Sequence, residues 1–300
     1  MNNLSSKWIK VSEPFPHVLL VELARFWKAY GALFDAISEE TSDVRAVVLS
    51  SAFPDIFSAG LDCASLTSFH FSDYQTLFTV LEAGDIAKAT ADADPQSTDA
   101  ARIALDFKKQ IKPFQEAITA PERCLFPVIA AVHGMVVGLG VDIISACDIR
   151  YAASNTRFTI KEIDIGLAAD MGTLAYLPKI TGNMSFIREM AYTTQWFSAS
   201  KAEQIGLVSK VVEGGKEEVD AAALELAQLI VTKSPIAVTG TKRLLSHARD
   251  HSVAENLEYT SLWNSAMLQT KDMMETLVSN KAKRPGEFLP LNFKFGKSKL

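Results

Sequence analysis

The stretch Pro127 to Asp170, PVIAAVHGMVVGLGVDIISACDIRYAASNTRFTIKEIDIGLAAD, decides the fold, because the carboxylates Asp142, Glu162 and Asp170 fall within an apolar segment interrupted by glycine. Pro127 to Val132 has the β-branched, apolar look of a buried strand, and His133-Gly134 predicts a turn. Gly138-Leu139-Gly140 then precedes a short apolar run that opens a helix, with Asp142 in its first turn. Amides at a helix N-terminus have no intrahelical acceptor and carry partial positive charge, so they can hold an anion or a developing oxyanion. A carboxylate one turn away can move protons beside it. Ile160, Ile163, Ile165, Leu167 and Met171 are placed to screen Glu162 and Asp170 from water. Screening raises a carboxyl pKa, which lets one group act as an acid while the other stays a base.

Upstream, Trp8 to Val11 and His17 to Leu23 predict two short strands in a hairpin. Phe26, Trp27, Tyr30, Leu33, Phe34 and Ile37 recur at helical spacing, and Arg45 to Ser50 predicts a buried strand. The run ATADADPQSTDAA predicts a polar surface loop or short helix pair. Ile103, Phe107, Ile111, Phe114 and Ile118 mark one face of a long helix ending before Pro121. Downstream, Gly172 to Ile180 and Met184 to Tyr192 predict helices, and SASKAEQIGLVSKVV predicts a short helix followed by a strand at Leu207 to Val212. Glu217 to Val231, Ser234 to His247, Val253 to Gln269 and Lys271 to Lys281 predict a helical C-terminal third. The sequence shows no internal repeat.

A chain of 300 residues, 48% of them hydrophobic, can build a sizeable core, and its net charge of −5 argues against nucleic acid as a partner. Cys63, Cys124 and Cys147 stand far apart, with no CxxC and no His/Cys cluster, so neither a metal centre nor a disulfide framework is indicated and the thiols are expected in the core. The longest apolar run, Val128 to Val141, is too short for a membrane span, and no signal-peptide pattern opens the chain. GLGVDI departs from G-x-G-x-x-G, and neither a G-x-S-x-G elbow nor a P-loop occurs, which removes redox-cofactor and acyl-serine chemistry. Asp148 and Arg150 are expected to pair, His133 to be a hydrogen-bonded structural residue, and Asp164 to face solvent or a neighbouring subunit.

The stretch from Pro127 to Asp170 resembles the signature region of the crotonase (enoyl-CoA hydratase/isomerase) superfamily, and FSAGLD at Phe57 to Asp62 resembles that family's first oxyanion segment. The resemblance implies an α/β fold, a crotonase-type ββα spiral core over residues 1–215 with the acyl-CoA site, and a C-terminal helical trimerisation region over residues 216–300. It implies a thioester oxygen held by the backbone amides of Leu61 and Leu139, the latter standing where the family commonly has Gly. It also implies acyl-CoA contacts at Ser58, Ala59, Gly60, Asp62 and Gly138, with Lys281 reaching a CoA phosphate. Asp142, Glu162 and Asp170, with DIRYA and KEIDIGLAADMGTL around them, resemble Δ3,5-Δ2,4-dienoyl-CoA isomerases. That likeness implies paired proton transfers by Glu162 and Asp170 on either side of a dienoyl chain, without metal or cofactor beyond the substrate's own coenzyme A. A Δ3-Δ2 enoyl-CoA isomerase or hydratase, and a non-catalytic acyl-CoA-binding subunit, are the alternatives. A homo-trimer or hexamer is the implied assembly. The passage from Leu23-Ala24-Arg25 directly into Phe26-Trp27-Lys28 is shorter than the resemblance implies by roughly ten residues, a larger gap than ordinary loop variation, and leaves Arg25 a weak ligand candidate. Ser298-Lys299-Leu300 matches the receptor-read peroxisomal address, which predicts a peroxisomal location and the import receptor as a partner.

Overall fold

The computed structural model describes residues 4–5, 9–23, 27–40, 43–60 and 100–291. Arg25, Leu61, Asp62, Cys63, the Ala/Asp-rich run up to Asp99 and Ser298-Lys299-Leu300 lie outside the described residues.

The described strands are β1 (Ile9–Phe15), β2 (Val18–Leu23), β3 (Ala46–Ser51), β4 (Ile56–Ser58), β5 (Val128–Val132), β6 (Met135–Val137), β7 (Ile149–Ala153), β8 (Arg157–Thr159), β9 (Phe197–Ser198) and β10 (Lys210–Val212). They form a large sheet of order β1-β2-β3-β5-β7-β10 and a small one of order β4-β6-β8-β9. The β1–β2 hairpin is antiparallel, as expected, and the rest of the large sheet is parallel. In the small sheet only β8–β9 is antiparallel. Three times in succession the chain leaves the large sheet and turns a corner into the small one, from β3 to β4, β5 to β6 and β7 to β8. The repeat is therefore geometric, a ββ corner followed by helix, although no period marks it in the sequence. Strands of two or three residues are too short to show alternation, which is why the small sheet has no signal of its own.

Side-chain alternation divides the large sheet into two packed faces. Val47, Leu49, Val128, Ala130 and Val132 point to one side, where they meet Tyr30, Leu33, Phe34 and Ile37 of α1 (Trp27–Glu40). Ala46, Val48, Ile129 and Ala131 point to the other, where Val219, Ala223 and Ala227 of a later helix, Lys216–Val231, cover them. The helix expected over Ile103 to Ile118 is α2 (Ala100–Ile118), with Pro113 inside it; only its C-terminal half is sunk in the core, through Phe114 and Ile118, while Ile103 and Leu105 are exposed. The long helix ends before Pro121, as expected, and Pro121 stands in the first turn of a separate short helix, α3 (Ala120–Arg123). The remaining helices are α4 (Leu139–Ser145), α5 (Thr173–Ile180), α6 (Met184–Thr193), α7 (Ala199–Gln204), α8 (Lys216–Val231), α9 (Pro235–Asp250), α10 (Val253–Met267) and α11 (Asp272–Ala282). The strand expected at Leu207 to Val212 is only β10, because Leu207 and Val208 are buried in the turn after α7. Among the described residues, no single helix is long and apolar enough to cross a membrane.

Asp148 and Arg150 do not pair as expected. Arg150 donates to the carbonyls of Cys147 (2.6 Å) and Ile144 (3.3 Å) at the end of α4 and to Leu207 O (2.6 Å), a cation at the negative end of a helix. Asp148 instead accepts from Val128 N and from Lys242 Nζ, each at 2.8 Å. Lys242, on α9, is buried and also donates to Pro121 O (2.8 Å) and Phe126 O (3.0 Å), so one ammonium fastens the helical third to the strand that leads into the site. Replacing it, Lys242→Met, strands two carbonyls and a carboxylate; the unfolding free energy measured in urea is expected to fall by about 3 kcal/mol, the scale for buried groups left unpaired.

Candidate active site

The site forms where β4 and β6 run out side by side. Their pairing, Ser58 opposite Val136, brings Ser58, Ala59 and Gly60 beside the start of α4. A Cβ on Gly140 would lie 2.8 Å from Ser58 Cβ, and one on Gly60 would lie 3.1 Å from Val137 O, so the absence of side chains at both glycines lets the two segments approach closely. Leu61, the next residue, is outside the described residues. Gly138 N donates to Thr159 O at 3.0 Å, tying the end of β6 to the end of β8.

Gly138 carries the left-handed turn, with φ of 47°, so Leu139 begins α4 with an ordinary backbone and rests its half-buried side chain on the main core. The departure from Gly at that position is thus accommodated. As the first residue of the helix, Leu139 presents an amide without an acceptor inside the helix.

Glu162 opens a single 3-10 turn, Glu162–Ile165, directly after β8. Its carboxyl lies against Gly138, where a Cβ would come within 2.9 Å of Oε1, and its Oε2 is buried with no hydrogen-bond partner among the described residues. Burial first, then the nearby Asp142 and Asp170 charges, raise its pKa to about 7. Asp142, in the first turn of α4 and 1% exposed, accepts a 2.6 Å hydrogen bond from Thr173 N through Oδ1. That bond caps α5 from another helix, since the preceding residue, Gly172, has no side chain to do so. Burial pushes Asp142 up to about 6, with the Thr173 amide opposing and Asp170 reinforcing the shift.

Asp170 sits at the mouth, exposed in this chain, and burial of part of its surface raises its pKa. Its carbonyl accepts from Gln115 Nε2 of α2 at 2.6 Å. It opens on a cavity of about 590 Å³ lined also by Lys112, Thr119, Leu174 and Tyr176. Glu122 of α3 holds two of its lining residues, accepting from Tyr176 OH and pairing with Arg249 at 2.6 Å. Asp142, Glu162 and Asp170 lie near enough for their charges to act on one another. Their supports, Thr173, Gln115 and the Glu122 pair, carry no local signal, since each meets its partner across at least 31 positions.

The apolar screen is incomplete. Ile160 is 2% exposed and Ile165, Leu167 and Met171 are half-buried, but Ile163 is 46% exposed, because the 3-10 turn carries it to the outer side. Asp164 faces outward as expected, paired with Lys161 at 2.5 Å. Cys124 and Cys147 are buried free thiols. Lys281 ends α11 on the surface and makes no hydrogen bond or ion pair within the described residues.

Residues 96–289 match the enoyl-CoA hydratase/isomerase family. A mitochondrial Δ3,5-Δ2,4-dienoyl-CoA isomerase of Homo sapiens is 42% identical over 279 residues, covering 90% of this chain and 77% of its own length. A peroxisomal Δ3,5-Δ2,4-dienoyl-CoA isomerase of Arabidopsis thaliana is 40% identical over 253 residues, 84% of this chain and 82% of its own. Among solved structures, an enoyl-CoA hydratase from Bacillus anthracis superposes with a TM-score of 0.73 over 94% of this chain and 99% of its own, at 23% identity, a likeness of fold.

A carboxyl whose folded pKa is raised gives stability that is complete below the unfolded value and lost as pH climbs through the folded one. For Glu162 that window runs from 4.5 to about 7. Glu162→Gln, which holds the site neutral, is therefore expected to have little effect on the thermal midpoint below the lower bound, to raise it progressively over wild type across the window, and to keep a constant advantage above the upper bound.

Proposed function

Because the chain belongs to the enoyl-CoA hydratase/isomerase family, we propose that it converts 3,5-dienoyl-CoA to 2,4-dienoyl-CoA by two proton transfers, in the degradation of unsaturated fatty acids. The chain is an enzyme, an isomerase of acyl thioesters. The observation that carries the mechanism is the Glu162 carboxyl, buried against Gly138 with Oε2 unpartnered and its pKa raised to about 7. Such a group holds its proton against an acid, Asp170, that is exposed at the mouth.

Asp170 is accordingly the base that removes a proton from C2. The electron pair of that C–H bond passes into the conjugated system, and negative charge develops on the thioester oxygen. The amides of Leu61 and Leu139 receive it; preorganised donors of this kind are worth about 3–4 kcal/mol each. Glu162 then delivers its proton to C6, leaving double bonds at C2 and C4, and the two carboxyls exchange protons with solvent to reset. Asp142, committed to the Thr173 amide, acts on Glu162 by its charge. Two protons move and no net electrons, so the chemistry requires no redox cofactor. Ser58, Ala59, Gly60, Asp62 and Gly138 line the thioester end of the acyl-CoA, and Lys281 is assigned to a CoA phosphate. A homo-trimer or hexamer is supported by apolar side chains left open on α10 and α11, among them Leu257, Leu262, Met274 and Leu277.

Incubation with 3,5-octadienoyl-CoA is expected to raise the conjugated 2,4-dienoyl absorbance, and Glu162→Gln or Asp170→Asn to reduce the rate by roughly 10²–10⁴-fold. Deuterium from solvent should still enter C2 in Glu162→Gln and not in Asp170→Asn; no rise in absorbance with wild type would remove the reading.

The mammalian relative is titled mitochondrial and the Arabidopsis one peroxisomal. A peroxisomal site for this chain is supported by Ser298-Lys299-Leu300, which an import receptor reads at a free C-terminus. An N-terminal fluorescent fusion is expected in peroxisomes and, with those three residues deleted, in the cytosol; a mitochondrial pattern would overturn this.

A further inference from the structure

Catalysis as proposed needs the segment after β4 held in register with the start of α4, although β4 has only three residues. Its launch from the large sheet, residues 52–55, is a corner without helix or strand of its own. From these contacts we infer that His133 is a positioning residue for the first oxyanion segment, holding that corner through Nε2 while contributing nothing to substrate contact.

His133 is fully buried where β5 turns into β6, and its Nε2 lies 2.8 Å from Phe53 O. A carbonyl can only accept, so Nε2 carries the hydrogen. Nδ1 has no partner among the described residues, and burial keeps the imidazole below its ordinary pKa, both consistent with a ring kept for one donated bond. Two further contacts fix the same crossing. Met135 N donates to Asp55 O at 3.1 Å, and a Cβ on Gly134 would fall 2.0 Å from that oxygen, so the two corners run in backbone contact. Ser51 Oγ donates to Ile56 O at 2.7 Å and accepts from Phe53 N at 3.3 Å, which closes the corner on its other side.

The stitch continues to the third corner. Gly134 N donates to Asn155 Oδ1 at 3.3 Å, and Arg157 N donates to Gly134 O at 2.9 Å. Adjacent corners are thereby linked in one lateral row, and His133 supplies the side-chain bond on the β4 side. The Phe57 ring, one residue before Ser58, meets the imidazole edge to face with centroids 6.3 Å apart, so a shift of the ring reaches the oxyanion segment directly. Misplacing a catalytic group by 1 Å can slow a reaction by roughly 10²-fold. Loss of the bond is therefore read as a falling kcat with little change in KM.

The inference rests on the dienoyl isomerase reading, and the test separates the two. His133→Leu removes the donor at similar size, and His133→Gln places an amide N–H near the position of Nε2. With 3,5-octadienoyl-CoA, His133→Leu is expected to lower kcat by about 10–100-fold at a KM within about 3-fold, and His133→Gln to recover most of the loss. Raman difference spectra of bound 2,4-hexadienoyl-CoA should show the thioester carbonyl stretch lowered in wild type and His133→Gln, and less so in His133→Leu. If the Leu variant does not fold, His133→Asn, whose shorter amide cannot reach Phe53 O, takes its place. A donor-free variant with unchanged kcat and carbonyl shift, or a folded Gln variant as impaired as the Leu one, would overturn the inference. Wild type without turnover would instead strike the function, and the carbonyl shift would still decide the role of His133.

Discussion

The Glu162 carboxyl rests against Gly138, and one of its oxygens is sealed from water without a partner among the described residues. A buried acid in that condition is held neutral, and it is stable there only because every surrounding element is fixed firmly enough to keep water and counter-charges away. Gly138 makes the contact possible. A side chain there would occupy the space of Oε1, and the left-handed backbone would strain it. The same residue also ties β6 to β8 through Thr159, so the glycine that gives the acid its place fixes the strand from which the acid departs.

That firmness comes from the way two sheets meet. The large sheet is packed on both faces, by α1 and by α8, and its central parallel strands β3 and β5 are correspondingly buried along their whole length. The small sheet could not stand alone, since its strands are two or three residues long. It is carried by the corners, where backbone bonds run from one crossing to the next. Lys242 extends the support to the helical third, gathering three acceptors from α3, the loop before β5 and the turn before β7. Rigidity is thus distributed at the ends of strands, next to the site.

Much of this was legible in sequence, for reasons that differ by element. β2, β3 and β5 have apolar runs and Gly138 marks the start of a short helix, and these lie where periodicity and turn chemistry placed them, whereas β1, with its mixed IKVSEPF, runs on to Phe15, past the expected end at Val11. The convergence of Asp142, Glu162 and Asp170 rested on a motif, since composition alone gives three acids in an apolar region and no geometry. What escaped were pairings across the chain. Asp148 looked like the partner of Arg150 two residues away, yet it takes Lys242, 94 positions on, because Arg150 is occupied by carbonyls at the end of α4. Ile163 looked like part of the screen, but a 3-10 turn has a different period from a helix and turns it outward.

The arrangement of supports also explains why three acids stand where two would move the protons. Like charges held close together repel, and burial decides which group keeps its proton. Asp142 has the Thr173 amide, Asp170 is exposed at the mouth, and Glu162 keeps one buried oxygen without a partner among the described residues. The third acid therefore biases the other two, since its charge adds to burial in holding the proton on Glu162 and not on Asp170. A site with only these two carboxyls would keep the bias that burial gives Glu162 and lose the part that Asp142 adds. The Thr173 amide thus orders the acids, because without it Asp142 would compete with Glu162 for the proton, and the direction in which protons cross the substrate would no longer be set.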